Sequence, residues 1–203
     1  MIPIELLLDK GAVTKQVDSG QIIYYENSAC NYYYQIISGR VRLSNFMIDG
    51  REVLHKVVCA NDGFGEVAIF DEGLHGITAV ADCQTTLIKI SKDSFREILK
   101  EYHSFYQYFA QKIAKDLHFK QFLTSLVCNF GPEEILSKLI HKLNENTNLI
   151  CHECHRLMLT RQQLANMTGL RVETIIRTMK QMEKKDKLQI VKGKVYIPAD
   201  GIG

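Results

Sequence analysis

The sequence predicts an α+β protein with an N-terminal antiparallel β barrel or sandwich, a long helix and a C-terminal winged helix-turn-helix. Three observations in the 203 residues support this fold class. Short runs rich in β-branched and aromatic residues recur between residues 21 and 91. Residues 92–127 contain no glycine or proline and keep apolar residues at helical spacing. Two shorter helix-like runs, separated by Gly169, follow near the C-terminus.

The first predicted domain covers residues 1–92 and consists of short strands. The runs "QIIYY", "YYYQIIS", "RVRLSNFMI", "EVLHKVV" and "TTLIKI" are separated by turn signals. Asp49-Gly50 lies between two alternating runs, which predicts a β-hairpin. Many short strands at regular spacing are typical of a barrel or sandwich.

The second predicted domain is a long helical region and hinge over residues 93–130. Ser91 or Asp93 can cap its start. The region is longer than an average helix, so we expect a helix pair that ends in one long helix. A long amphipathic helix outside a barrel predicts a homodimer through this helix, as well as packing along its own barrel. Gly131 ends it, Pro132 suits the first turn of the next helix, and a third domain follows over residues 131–203.

The third domain carries the helix-turn-helix pattern. Thr160 is a good N-cap, and Gln163 stands at the capping-box spacing. Gly169 supplies the tight turn, and a second helix is predicted from about Val172 to Lys184 with Ile175, Met179 and Met182 buried. The stretch "LQIVKGKVYI" predicts two basic strands around a glycine, which form a wing. This order of elements is typical of a winged helix-turn-helix.

The outer face of the second helix carries side chains that suit base edges. Arg177 can donate to the O6 and N7 of guanine, and Glu173 can accept from the amino group of cytosine. Ile176 can lie against the methyl group of thymine. Other residues are placed to hold phosphates, which position the protein without specifying sequence. The candidate DNA-contacting residues are Thr160, Arg161, Gln162, Arg171, Val172, Glu173, Thr174, Ile176, Arg177 and Lys180.

Charge is distributed unevenly along the chain. Between residues 156 and 194 there are ten Lys or Arg and three acidic residues, a local charge of +7. The remaining chain carries 15 basic and 20 acidic residues, a charge of −5. A basic segment on an acidic body predicts a polyanion partner for that segment, and double-stranded DNA fits it.

Other classes of protein fit the sequence less well. "MIPIELLLDK" has too short an apolar run and no basic start for a signal peptide, and no apolar stretch reaches membrane-spanning length. We therefore expect a cytoplasmic protein with no membrane partner. A cupin-like metalloenzyme would need several clustered His and carboxylate ligands, whereas the strand region holds only His55 and His75.

The motifs together resemble the Crp/Fnr family of bacterial transcription regulators. The resemblance covers nearly the whole chain, through "YYYQIISGRVRL", "DGFGEVAIFDEG", a long helix and "TRQQLANMTGLRVETIIRTMKQ". It implies an N-terminal effector-sensing β-roll of the cyclic-nucleotide-binding type, a long dimerisation helix and a C-terminal winged helix-turn-helix. It also implies a homodimer on a palindromic operator, with RNA polymerase and a small-molecule effector as partners.

The recognition motif "RVETIIR" is closer to the Fnr-like branch, which has V-E-T-x-x-R, than to the cyclic AMP receptor branch. The resemblance implies that Glu173 and Arg177 read bases in a half-site with a GA-type core. Ile176 stands where the Fnr-like branch has serine, so the outer bases of the half-site stay open.

The predicted effector site departs from the family. The resemblance places Gly65 and Glu66 at the ribose of a cyclic nucleotide. The Arg-Ser/Thr pair that binds the cyclic phosphate is replaced by Gly76-Ile77, and a buried phosphate would then lack its strongest contacts. We therefore expect an effector other than cyclic AMP and assign no cofactor. The candidate effector-site residues are Gly65, Glu66, His75, Gly76, Ile77, Thr78, Lys120 and Gln121.

Six cysteines allow a different kind of control. An Fnr-type iron–sulfur cluster needs several N-terminal cysteines, whereas only Cys30 precedes Cys59. "CHECH" matches the c-type haem attachment pattern in form only, and a zinc site with Cys151 and Cys154 lacks its second half. For this segment we favour an exposed polar loop, and a zinc site and a thiol pair that responds to oxidants stay open. The alternative function is a ligand-independent or thiol-responsive regulator of the same fold.

Overall fold

The computed structural model describes residues 1–146 and 149–198, and it divides into two compact units, residues 1–118 and 119–203. The first unit contains two four-stranded antiparallel sheets, with strand orders β1-β8-β3-β6 and β2-β7-β4-β5. Two short helices accompany the strands. The elements are α1 Ile4–Asp9, β1 Val13–Val17, β2 Ile22–Tyr24, β3 Tyr32–Ser38, β4 Arg40–Phe46, β5 Glu52–Cys59, β6 Gly63–Phe64, α2 Glu66–Phe70, β7 Thr78–Ala81 and β8 Thr85–Ser91.

The β-roll is filled by side chains from both sheets. Leu87 of β8 and Ile36 of β3 pack in one buried cluster with Val41 and Leu43 of β4. Alternation along β4 sends these two residues inward, as the period of two in its sequence requires. The predicted hairpin at Asp49-Gly50 is confirmed, because β4 pairs with β5 in antiparallel register.

The long helical region is broken once. Ser91 caps α3 (Lys92–Glu101), since its hydroxyl accepts a hydrogen bond from the Ser94 amide at 3.1 Å. After Tyr102, α4 runs from His103 to Asn129, so the predicted helix pair ending in one long helix is confirmed. Residues of α4 belong to both units, and the predicted domain limits 1–92, 93–130 and 131–203 stay predictions.

The second unit is a small helical core with a hairpin. Pro132 opens α5 (Pro132–Asn146), where its missing amide proton costs nothing. Its helices pack around buried aliphatic and methionine side chains, among them Leu136, Leu139 and Leu164. The remaining elements are α6 Arg161–Thr168, α7 Val172–Glu183, β9 Gln189–Val191 and β10 Lys194–Tyr196.

The wing is an antiparallel pair of β9 and β10. Lys192 and Gly193 at its turn both have positive φ, 47° and 77°, as a two-residue hairpin that follows the strand twist requires. The segment before α6 is hydrogen-bonded to the wing, because the Leu157 amide donates to the Val195 carbonyl at 2.9 Å. Within the described residues, no helix is both long and apolar enough to cross a membrane.

Candidate nucleic-acid interface and effector site

The start of α6 is fixed by a reciprocal capping box. The Thr160 hydroxyl accepts from the Gln163 amide at 3.1 Å, and the Gln163 side chain accepts from the Thr160 amide at 2.9 Å. Gly169 ends the helix at φ 73°, a conformation in which a Cβ would be strained. These local contacts set the direction in which α7 starts.

Helix α7 has a buried stripe and an exposed stripe. Ile175, Met179 and Met182 are fully buried, as predicted, and Thr178 lies beside them. Because the helix repeats every 3.6 residues, the opposite face is turned to solvent. The four predicted base- or phosphate-contacting residues on this face are all exposed: Glu173, Ile176, Arg177 and Lys180.

The other predicted contact residues surround this face. Arg171 is the exposed N-cap of α7, and Val172 and Thr174 in its first turn are half-buried. Gln162 is exposed and donates to Asn166 at 2.8 Å. Arg161 donates from Nη1 to the Gly193 carbonyl, so α6 is tied to the turn of the wing.

Some basic side chains of the C-terminal unit form ion pairs with an acidic residue and others do not. Glu133 of α5 accepts from Lys185 at 2.7 Å and lies 3.5 Å from Lys187. The hydrogen bond from Lys185 lowers the pKa of Glu133. In the part of the chain that the structure describes, no acidic side chain pairs with Arg171 or Arg177. The cations nearest the start of α7 are thus available to an anionic ligand.

The glutamate predicted for the effector site, Glu66, forms its contacts within the protein. Gly65, at φ 94°, precedes α2, and Glu66 opens that helix with 2% exposure. Lys112 of α4 donates to Oε1 of Glu66 and to the Gly63 carbonyl at 2.9 Å. Asp62 lies 3.7 Å from the same Nζ. Burial favours neutral Lys112, but the Glu66 and Asp62 carboxylates outweigh it and raise the pKa of Lys112.

Sequence reasoning missed Lys112. A signal existed, because Lys112 lies three residues after the fully buried Phe109, on the stripe of α4 that packs on the roll. A cation on a buried stripe requires an anion, and Glu66 is the buried carboxylate of the same unit. The other carboxylate oxygen, Oε2, is buried without a hydrogen-bond partner among the described residues.

Residues 75–78, the segment expected to contact a cyclic phosphate, form contacts with other residues of the β-roll. His75 is buried and stacks on Tyr24, with ring centroids 3.6 Å apart. Burial lowers the pKa of His75, which disfavours the cation that would be needed to replace the missing arginine. The Gly76 carbonyl accepts from Asn45 at 2.9 Å, and the Thr78 hydroxyl accepts from the Glu26 amide at 3.0 Å.

Three further predicted residues remain, Ile77, Lys120 and Gln121. Ile77 is half-buried and packs against the core of the roll. Lys120 and Gln121 are exposed residues of α4 and belong to the second unit, where they line a surface groove with Thr124 and Cys128. Their contact with an effector stays a prediction.

Two protein-family profiles match the chain in the same order as the β-roll and the helix-turn-helix of the structure. The profile of the cyclic nucleotide-binding domain matches residues 14–102, and that of the Crp-like helix-turn-helix domain matches residues 136–199. The order of a nucleotide-binding roll, a long helix and this DNA-binding unit defines a class of bacterial transcription regulators. The chain belongs to the Crp/Fnr family.

Similar proteins are regulators, not enzymes. The CRP-like cAMP-activated global transcriptional regulator of Mycobacterium tuberculosis is 24% identical over 173 residues, 81% of this chain and 76% of the relative. FixK of Bradyrhizobium diazoefficiens is 21% identical over 181 residues, 88% of this chain and 75% of the relative. The structure of FixK2 from Bradyrhizobium japonicum superposes with a TM-score of 0.79 at 19% identity, covering 92% of each chain.

A further solved structure shows the same fold. The c-di-GMP responsive regulator CLP of Xanthomonas campestris superposes with a TM-score of 0.77 at 18% identity, covering 96% of this chain and 97% of that one. The predicted fold class is therefore confirmed, including the β-roll, the long helix and the C-terminal helix-turn-helix.

Proposed function

We propose that this regulator acts as a homodimer in the cytoplasm and reads a palindromic operator with the exposed face of α7. The observation that supports the proposal is the set of side chains on the exposed face of α7. One carboxylate, one isoleucine and two cations point away from the fully buried stripe of α7, which follows the helix that the capping box fixes. A helix that only faces water does not need these side chains together, whereas each of them suits a group on the edge of a base pair.

The homodimer is supported by α4. Its 27 residues give a helix about 40 Å long, which suits a two-helix interface. Leu117 and Val127 are large apolar side chains on this helix that are exposed in the single chain. A second copy of α4 would cover them, and twofold symmetry would then set the separation of two α7 helices.

The effector proposal follows from the β-roll. Gly76 and Ile77 supply neither cation nor hydroxyl for a cyclic phosphate, and Glu66 is held by Lys112. We infer an effector other than cyclic AMP, or control without a small molecule. An effector would act by shifting the equilibrium between two arrangements of the recognition helices, and RNA polymerase would receive the result.

Arg177→Ala tests the base-reading role. On an operator fragment the substitution is expected to cost about 1–3 kcal/mol, or about five- to 150-fold in Kd, and to flatten the preference at one base pair. Gln181→Ala is the matched control, since Gln181 is exposed on the same helix and is assigned no base. Fluorescence anisotropy against single-base operator variants measures both. Unchanged base preference in Arg177→Ala would refute the assignment.

A further inference from the structure

The "CHECH" motif lies in a closed turn. Ile150 and Leu157 form an antiparallel bridge at its base. Inside it, the Cys151 amide donates to the Arg156 carbonyl at 2.9 Å, and the His155 amide donates to the Cys151 carbonyl at 2.8 Å. His155 has φ 53°, so the chain reverses at this point. Both cysteines therefore lie within one turn, with two residues between them.

The thiol of Cys151 lies among hydrogen-bond donors of its own loop. Hydrogen bonding by the Cys154 amide and thiol, and by the Glu153 amide, lowers the pKa of Cys151 because it favours the thiolate. Cys151 is half-buried and Cys154 is exposed, so a small oxidant can reach the pair.

The other four cysteines, Cys30, Cys59, Cys83 and Cys128, lie outside this loop. Cys30 is buried, and burial raises its pKa. Burial also raises the pKa of Cys59. Cys128 is exposed on α4, on a different element from the pair. Within the described residues, no three His, Cys, Asp or Glu side chains come together so that they could hold a metal ion.

We propose that Cys151 and Cys154 form a dithiol that peroxide oxidises to an intramolecular disulfide, and that this disulfide adjusts the wing. The Cys151 thiolate attacks one oxygen of hydrogen peroxide, and the O–O bond breaks to give a sulfenic acid and hydroxide, which takes up the proton that the thiol had released and becomes water. The Cys154 sulfur then attacks Cys151, the S–O bond breaks and a second water leaves. Two thiols are oxidised to one disulfide while one peroxide is reduced to two waters.

The loop is joined to the wing by backbone hydrogen bonds. The His155 carbonyl, directly after Cys154, accepts from the Ile197 amide at 3.0 Å. Arg156 forms a bridge with Tyr196 of β10. Closing the disulfide would tighten the turn that carries both contacts. Its effect on DNA affinity rests on the proposed function, since the wing is part of that interface.

Mass spectrometry of the full chain tests the chemistry without DNA. After peroxide treatment, the peptide that contains both cysteines is expected to lose the mass of two hydrogen atoms. In Cys154→Ser, a dione probe is expected to label a sulfenic acid on Cys151, whereas Cys151→Ser should leave Cys154 unlabelled. Cys128→Ser should behave as the unaltered protein. Sulfinic or sulfonic acid at Cys151 in place of the disulfide would overturn the proposal.

Anisotropy with reduced and oxidised protein tests the coupling to the wing. A change in Kd on oxidation is expected in the unaltered chain and absent in the Cys151→Ser/Cys154→Ser double variant. If the disulfide forms and the Kd stays the same, the coupling is refuted. If no redox state binds DNA, the proposed function fails while the disulfide result stands.

Discussion

Lys112 is predicted to compensate a buried carboxylate, and Lys112→Met removes that compensation. The Lys112 side chain is 10% exposed and that of Glu66 is 3% exposed, so solvent screens the pair little. Removing one partner of a buried pair costs about 3–5 kcal/mol, because the other charge is left uncompensated. For a chain of this size the expected fall in Tm is roughly 6–20 °C, at about 2–4 °C per kcal/mol.

Differential scanning calorimetry and urea unfolding at pH 7 measure the effect. Lys115→Met is the matched control, since Lys115 is exposed one turn later on α4 and should change stability by no more than about 0.5 kcal/mol. The double variant Glu66→Met/Lys112→Met removes both charges and is expected to recover most of the loss. The reasoning is refuted if Lys112→Met matches Lys115→Met, or if the double variant is no more stable than the single one.

The same pair predicts a stability change in alkaline solution. The folded-state pKa of Lys112 is raised above its ordinary value of 10.5. Its contribution is therefore fully present below pH 10.5 and is lost as the pH rises through the folded-state pKa. Urea unfolding should show a stability gap between the unaltered protein and Lys112→Met that is constant from neutral pH to near 10.5 and narrows above it.

Three further outcomes are expected. Lys180→Ala should weaken binding to all DNA sequences alike and reduce the salt slope by about one, as a phosphate contact does; a sequence-dependent loss in anisotropy titrations would contradict this. Thr160→Ala should cost about 1 kcal/mol in urea unfolding, since the N-cap of α6 is lost, and an unchanged midpoint would argue against the capping box. Cyclic AMP should give no saturable heat in titration calorimetry, and micromolar binding would overturn the reading of Gly76 and Ile77.

Elements with local signals could be predicted closely from the sequence. The sequence predicts the second helix of the helix-turn-helix from about Val172 to Lys184, and in the structure α7 covers Val172–Glu183. Thr160, Gln163 and Gly169 act through contacts within a few residues, so their roles follow from spacing alone. The period of 3.6 likewise separates the buried and exposed stripes of α7 without tertiary information.

Contacts between distant segments could not be predicted in this way. Lys112 and Glu66 are 46 residues apart, and their pairing depends on how α4 packs against the roll. The sequence favours an exposed polar loop around Cys151 and Cys154, and it gives no sign of the bridge between Arg156 and Tyr196 that joins this loop to β10. Strand partners of this kind depend on the folded arrangement of several elements, which no local pattern encodes.

Selection of bound sequences from random double-stranded DNA examines both the reading helix and the dimer. The expected product is an inverted repeat with a GA-type core in each half-site and half-site centres about 34 Å apart, one turn of DNA. Arg177→Ala should lose enrichment at one position of each half-site. An unrepeated single site, no enrichment at all, or the same sequences from the unaltered chain and Arg177→Ala would contradict DNA reading by paired α7 helices.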